Sequence, residues 1–370
     1  MSDAITGTNP TGTGGPALGV FDTIGAEQHQ SVHFATDSAT GLRCIVAIHS
    51  TVLGPALGGT RFYPYRSEHD ALVDVLRLSK SMTYKAACAG LPFGGGKAVI
   101  VGEPSAIGSD DLFRAYGRFV DDLGGQYVTA EDVGTTVANM EVVASQTDNV
   151  RGLPVERGGS GDPSPATSRG VVAAQRAVAR LLWGSEDLST KRIAIKGIGK
   201  VGMSLAAQLG QLGTELIVAD INEVATDRAA TEFGAKVVDV RDIHQIECDI
   251  FAPCALGGDL NEETIPEMRC TAVAGSANNQ LATDVDGDRL RDAGILYAPD
   301  FVVNAGGIIN IAAEHGGYST ERATAMVDRI YDNVREILTT ADRLGISTHA
   351  AAEHVADERI AVAASNGGGA

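Results

Sequence analysis

The sequence predicts an α/β protein of two domains, the second built on a doubly wound parallel sheet. Three observations lead there. At 370 residues the chain is long for one hydrophobic core and fits two. From about residue 192 onward, short apolar runs alternate with helix-like segments, the rhythm of strands joined by crossover helices. Between the halves, 151–167 (RGLPVERGGSGDPSPAT) is rich in Gly and Pro and poor in core-forming residues, so it reads as the connection. The expected layout is a flexible tail over 1–18, a first domain over 19–165, a second over 166–345, and a C-terminal helix and tail over 346–370 that packs back towards the first domain.

Composition narrows the class. Apolar residues make up 44% of the chain, and no apolar run is long enough to span a membrane. The first residues carry neither a basic start nor an apolar core, so a cytoplasmic protein is expected. Five cysteines without CxxC spacing read as free thiols. With 47 acidic against 29 basic residues, the formal charge of −18 opposes binding to nucleic acid or an anionic membrane. The eight histidines are dispersed and form no convincing metal site.

In the first domain, 44–49 (CIVAIH) and 60–63 read as strands, linked through Gly54-Pro55 and the Gly58-Gly59 pair. A helix follows in which Val75, Leu78, Met82 and Lys85 fall at i, i+3, i+7 and i+10, so Lys85 continues an apolar stripe. Lys80 lies off that stripe and reads as a snorkelling surface residue. The helix should stop near Gly90 and Pro92. Gly94, Gly95 and Gly96 then read as a loop that allows close approach, and Lys97 stands where that loop enters the apolar strand 98–101. Two ammonium groups close together in low dielectric lower each other's pKa, one route by which a lysine becomes a base. A Walker A phosphate loop is excluded, because the positions of its first Gly and its Ser or Thr hold Leu91 and Ala98.

Next, 110–123 reads as a helix with Leu112, Phe113, Tyr116 and Phe119 on its apolar side, and 126–130 as a short strand running into Glu131-Asp132-Val133-Gly134. These carboxylates either line a cleft at the strand end or cap the helix that begins near Thr135. A helix over 166–183 leads into the second domain. There a strand (193–195) is followed by Gly197-x-Gly199-x-x-Gly202, a helix, a second strand (216–219) and Asp220. That setting predicts a dinucleotide site. The glycines permit the tight turn and close backbone approach to a pyrophosphate, and the acid accepts from the ribose and repels a 2′-phosphate, which favours NAD over NADP.

Further strands are expected at 235–238, 248–252, 271–274 and 295–298, with a helix at 284–293. Polar clusters after two of them, 275–279 and 300–307 with Asn304, are expected as loops facing the nicotinamide, or else as ordinary turns. Two helices, 320–343 and 348–365, close the chain.

Six segments carry a resemblance: GPALGGTRF (54–62), MTYKAACAGLPFGGGK (82–97), TAEDVGTT (129–136), GDPSPAT (161–167), CDIFAPCALGG (248–258) and APDFVVNAGG (298–307). Together they resemble the glutamate, leucine, phenylalanine and valine dehydrogenases, most closely the leucine and valine enzymes. The resemblance implies an N-terminal α/β domain for substrate binding and oligomerisation, a Rossmann NAD-binding domain, and a homo-oligomer. It implies that Lys85 binds the substrate α-carboxylate, that Lys97 is the general base, and that Asp132 shares proton transfer. Gly58 and Asn304 join Lys85 at the substrate. Thr167, Lys200, Val201, Ile221, Cys254, Ala255, Asn278 and Asn279 join Gly197, Gly199, Gly202 and Asp220 at the cofactor. The reaction implied is reversible oxidation of an L-amino acid to a 2-oxo acid and ammonia.

Where glutamate enzymes of this group carry a lysine for the distal carboxylate, the matching residue is Leu57. The rest of the pocket matches Met82, Ala130, Ile308 and Ile311, all uncharged, so a branched aliphatic side chain is expected and glutamate excluded. Phenylalanine, with the same mechanism, is the alternative substrate. A non-catalytic NAD-sensing protein is the alternative of another class, disfavoured because Lys85, Lys97 and Asp132 are all present.

Overall fold

The structure is a computed structural model that describes residues 20–26 and 28–367, so the tail expected over 1–18 lies outside the described residues. The first half comprises α1 (Val20–Ala26), β1 (Ser31–Asp37), β2 (Leu42–Ser50), β3 (Ala56–Tyr63), α2 (Glu68–Ala89), β4 (Gly94–Val101), α3 (Pro104–Ile107), α4 (Asp110–Asp122), β5 (Tyr127–Glu131) and α5 (Val137–Ala144). Its strands form one sheet in the order β1-β2-β4-β3-β5. The β1–β2 and β2–β4 pairs are antiparallel, while β3 runs parallel to both β4 and β5. Alternating residues divide the sheet between two layers. Ile45, Ala47 and Val99 pack under Ala71, Leu72, Val75 and Leu76 of α2. Val46, Ile48, Ala98 and Ile100 meet Leu112, Phe113, Tyr116 and Met140 of α4 and α5 on the other side.

The second half comprises α6 (Ser164–Trp183), β6 (Arg192–Lys196), α7 (Lys200–Gln211), β7 (Glu215–Ala219), α8 (Glu223–Phe233), β8 (Lys236–Val237), β9 (Cys248–Pro253), β10 (Cys270–Val273), α9 (Val285–Asp292), β11 (Leu296–Tyr297), α10 (Asp300–Val303), α11 (Gly306–Ala312), α12 (Thr320–Asp328), α13 (Ile330–Leu344) and α14 (Thr348–Ser365). Its strands form a second sheet, β11-β10-β9-β6-β7-β8, parallel throughout. The chain winds outward one way from β6 and the other way from β9. Between those strands lies the switch point at which such sheets bind ligands, past the strands' carboxyl ends.

Several expectations need correction. Gly58 and Gly59 do not form a turn; they lie within β3, where a Cβ on Gly58 would sit 1.8 Å from the Gly96 carbonyl oxygen. Gly94, Gly95 and Gly96 are not a loop but the start of β4, so Lys97 stands inside the strand. What approaches those glycines is the protein itself: a Cβ on Gly95 would come within 2.1 Å of the Thr83 backbone nitrogen of α2. The stripe from Val75 to Lys85 does not all face the core. Val75 is buried, but Leu78, Met82 and Lys85 are half-buried on the cleft side, and the core face runs through Leu72, Leu76, Ser79, Thr83 and Ala86. The segment 300–307 is helical, split between α10 and α11, and 320–343 is two helices that meet at Arg329. Thr136, not Glu131 or Asp132, caps α5.

The last helix runs back to the first half. Tyr84 of α2 donates through Oη to Asp357 at 2.9 Å, and Cys88 donates to the Ala352 carbonyl at 3.4 Å. Arg359 donates to the Ala87 and Cys88 carbonyls at 2.9 and 2.6 Å and pairs with Glu336 of α13 at 2.7 Å. The Arg359 bonds reach acceptors at the carbonyl-rich end of α2, where a cation is also favoured by the helix dipole.

Candidate active site

Three strands and one helix deliver the charged groups. β4 carries Lys97 on the same face as Gly95 and Val99, the face that α2 covers. With Lys97 only 6% exposed, its ammonium needs a partner. Asp132, one residue beyond β5, supplies it: Lys97 Nζ lies 2.9 Å from Asp132 Oδ2. Arg61 on β3 reaches the same oxygen through Nε at 3.2 Å and pairs through Nη1 with Asp74 of α2 at 2.9 Å. Tyr65 Oη donates to Asp74 as well, at 2.6 Å. Burial would raise the Asp132 carboxyl, but Lys97 and Arg61 outweigh it and hold it below the usual carboxylate range. Thr135 Oγ1 accepts from the Asp132 N–H at 2.9 Å and holds the turn. Sequence reasoning missed Arg61. A basic residue two positions past a glycine pair, on a strand beside a short strand that ends in an acid, was the available signal.

Lys85 faces these groups from α2. Burial pushes its ammonium down to about 8; Asp300 opposes that, Lys97 adds to it and Asp132 opposes it. Lys97 thus adds to a depression of Lys85 whose main cause is burial. Its Nζ lies 3.4 Å from Asn278 Oδ1 of the second half, and the same Oδ1 accepts from Asn304 Nδ2 at 2.8 Å. The cleft between the sheets is thus bridged at the lysine. Asn304 is almost wholly buried, and its Oδ1 has no hydrogen-bond partner among the described residues.

Leu57, Gly58 and Ala130 are buried on the neighbouring strands β3 and β5, while Met82 of α2 and Ile308 and Ile311 of α11 are half-buried across from them.

Opposite lies the glycine turn after β6. Gly197 has φ +100°, and a Cβ there would meet Ala255 and Cys254, so those two residues press directly on the turn. A Cβ on Gly202 would strike the Gly197 carbonyl at 1.9 Å. Gly199, at the head of α7, has nothing within 4 Å of its missing Cβ, which leaves a cradle at the amino end of a helix led by Lys200 and Val201. That fits a dinucleotide pyrophosphate. Asp220 accepts from the Ile198 N–H at 2.6 Å and the Asn222 N–H at 2.8 Å, which pins it beside the turn, and Ile221 next to it is 88% exposed. Asn278 and Asn279 are exposed beyond β10, with Asn279 at φ 53°. Thr167 of α6 donates to the Pro163 carbonyl at 3.0 Å and lies against Gly307. Among the described residues no group of His, Cys, Asp and Glu is arranged to hold a metal, and no helix is long and apolar enough to cross a membrane.

Comparison with known proteins agrees with this arrangement. A family model described as "Glu/Leu/Phe/Val dehydrogenase, dimerisation domain" matches residues 26–149, and one described as "Glutamate/Leucine/Phenylalanine/Valine dehydrogenase" matches 218–368. The chain is 50% identical to a leucine dehydrogenase of Geobacillus stearothermophilus over 92% of its length and 93% of that protein's. It is 47% identical to a valine dehydrogenase of Streptomyces albus, covering 95% and 98%. Among solved structures, the L-tryptophan dehydrogenase from Nostoc punctiforme superposes with a TM-score of 0.84 at 41% identity, over 93% of this chain and 99% of that one. Two sheets facing each other across a lysine-lined cleft, and relatives matched over nearly their full length, lead to one statement: the chain belongs to the Glu/Leu/Phe/Val dehydrogenase family.

Proposed function

We propose that the protein oxidises branched-chain aliphatic L-amino acids (leucine, valine or isoleucine) to the 2-oxo acid and ammonia, reversibly and with NAD. The observation that carries this reading is the buried Lys97–Asp132 pair, facing a cation on α2 and an uncharged pocket. Lys85 binds the substrate α-carboxylate. Asn304, whose Oδ1 lacks a partner among the described residues, stands beside it at the substrate. NAD, held at the glycine turn, supplies the hydride acceptor. Lys97 takes the proton from the water that adds to the imino carbon, and Asp132, two hydrogen bonds from Asp74 through Arg61, exchanges a proton with the departing amine. The pinned Asp220 carboxylate favours a free 2′-hydroxyl over a phosphate. A substrate carboxylate set among Leu57, Met82, Ala130, Ile308 and Ile311 would lack any partner, at a cost of several kcal/mol, which excludes glutamate. The first half, in keeping with its family description, forms the contacts of a homo-oligomer.

A panel of L-amino acids assayed with NAD and with NADP tests the reading. NADH formation is expected with leucine, valine and isoleucine, and little with glutamate or with NADP. Lys97→Ala should lower turnover by at least ~10³-fold and leave NAD binding within twofold. Full activity in that variant, or greater turnover on phenylalanine than on any aliphatic substrate, would overturn the mechanism or the specificity respectively.

A further inference from the structure

Asp300 is a buried carboxylate that the proposed chemistry does not use. It is 7% exposed and begins α10, the short helix that ends at Asn304. Both of its oxygens are engaged: Oδ2 accepts from the Gln280 N–H at 2.8 Å and Oδ1 from the Phe301 N–H at 2.6 Å. Its own N–H donates to Tyr297 Oη at 3.1 Å. Gln280 is fully buried, and its side-chain amide donates to the Gly275 and Ala277 carbonyls at 2.9 and 3.1 Å. At the other end of α10, Asn304 Nδ2 donates to the Ser276 carbonyl at 3.2 Å and to Asn278 Oδ1. The loop 275–280 is thus stitched to α10 at two points, and between them Asn278 reaches Lys85.

We propose that Asp300 is a positioning residue for the amino-acid site: it clamps the 275–280 loop so that Asn278 and Asn304 meet Lys85, and its buried negative charge balances that ammonium across the cleft. The inference rests on the reading of Lys85 as the carboxylate anchor. The charged groups that face Lys85 are Asp300, Lys97 and Asp132. Lys97 repels it, and Asp132 is already shared between Lys97 and Arg61. Asp300 is therefore the acid least committed to another cation, its partners being backbone N–H groups. Without it, Lys85 loses its proton at lower pH, and a carboxylate ligand loses its anchor there.

The test uses the full-length enzyme and 4-methylpentanoate, a carboxylate of the substrate's shape with no amino group, as a competitive inhibitor against L-leucine from pH 6 to 10. In the wild type the inhibition constant should turn upward above about pH 8, following Lys85. Asp300→Asn should move that upturn about one pH unit lower and weaken inhibition at pH 8 about fivefold. Asp300→Glu, which keeps the charge but displaces it from the Gln280 amide, should weaken inhibition at every pH and leave the upturn in place. It carries the test if the Asn variant does not fold. A flat wild-type profile would overturn the reading of Lys85 itself. A wild-type upturn unmoved by Asp300→Asn, or unchanged inhibition in Asp300→Glu, would overturn the role of Asp300 alone.

Discussion

Stripping water from the Lys85 ammonium is unfavourable, and in the proposed reaction a substrate carboxylate restores the lost stabilisation. The cost has a sign that can be measured. Folding lowers the Lys85 pKa to about 8, below its ordinary value, so between that pH and the unfolded value the unfolded chain binds more protons than the folded one. Lys85 therefore destabilises the free enzyme fully below about pH 8, and the penalty fades as pH rises towards the unfolded pKa. Lys85→Met, similar in shape and uncharged, is expected to raise stability by about 1 to 3 kcal/mol at neutral pH while abolishing productive binding of the amino acid. Thermal melts at pH 7 and pH 10 check this: the gain should be present at the first and largely absent at the second. An equal gain at both would mean that packing, not charge, explains it.

At the scale of elements, α2 and β4 are fitted to each other through glycine. Gly95 leaves room for the backbone of α2 at Thr83, and Gly96 leaves room for the Tyr127 ring on β5. Gly95→Ala would drive a methyl group into the Thr83 N–H and hydroxyl at 2.1 and 2.2 Å, where only movement of the helix can relieve it. A loss of at least ~3 kcal/mol is expected, read as a lower denaturation midpoint or a failure to accumulate folded protein. This is also where the sequence was misleading. A run of three glycines ordinarily marks a loop, because nothing local shows that the space their side chains would occupy is taken by Ser50, by Thr83 of α2 and by the Tyr127 ring, each on another element. The helical period placed Val75 and Lys85 on one stripe correctly, but which half of that stripe faces the core and which the cleft depends on tertiary packing. The glycine turn after β6 and Asp220 were legible because strand, turn and helix follow one another without a gap. Arg61 and Asp300 were not, since each acquires its role from a partner on another element. β1, an edge strand with the mixed run SVHFATD, was missed because its pattern becomes meaningful only beside β2.

For the whole molecule, the tie between α2 and the last helix matters most. Arg359 joins two carbonyls of α2 to Glu336 of α13, so one side chain couples the helix bearing Lys85 to the nucleotide-binding half. Arg359→Ala should leave the end of α2 less well held. The expected result is a stability loss of about 1 to 3 kcal/mol and a KM for L-leucine that rises several-fold while the KM for NAD stays within twofold. Substrate kinetics with both ligands varied would show it, and equal effects on the two constants would argue against selective coupling.

That same tie sets an order of events as the chain is made. Residues 351, 352, 355 and 356 of α14 belong to the same core as residues 86–89 of α2. A ribosome that has released the entire first sheet has made the surface under the start of α2 but not the one against which its end, residues 86–89, rests. Until α14 emerges, the small apolar side chains at 86–89 of α2 lack that cover and stay open to solvent and to other nascent chains.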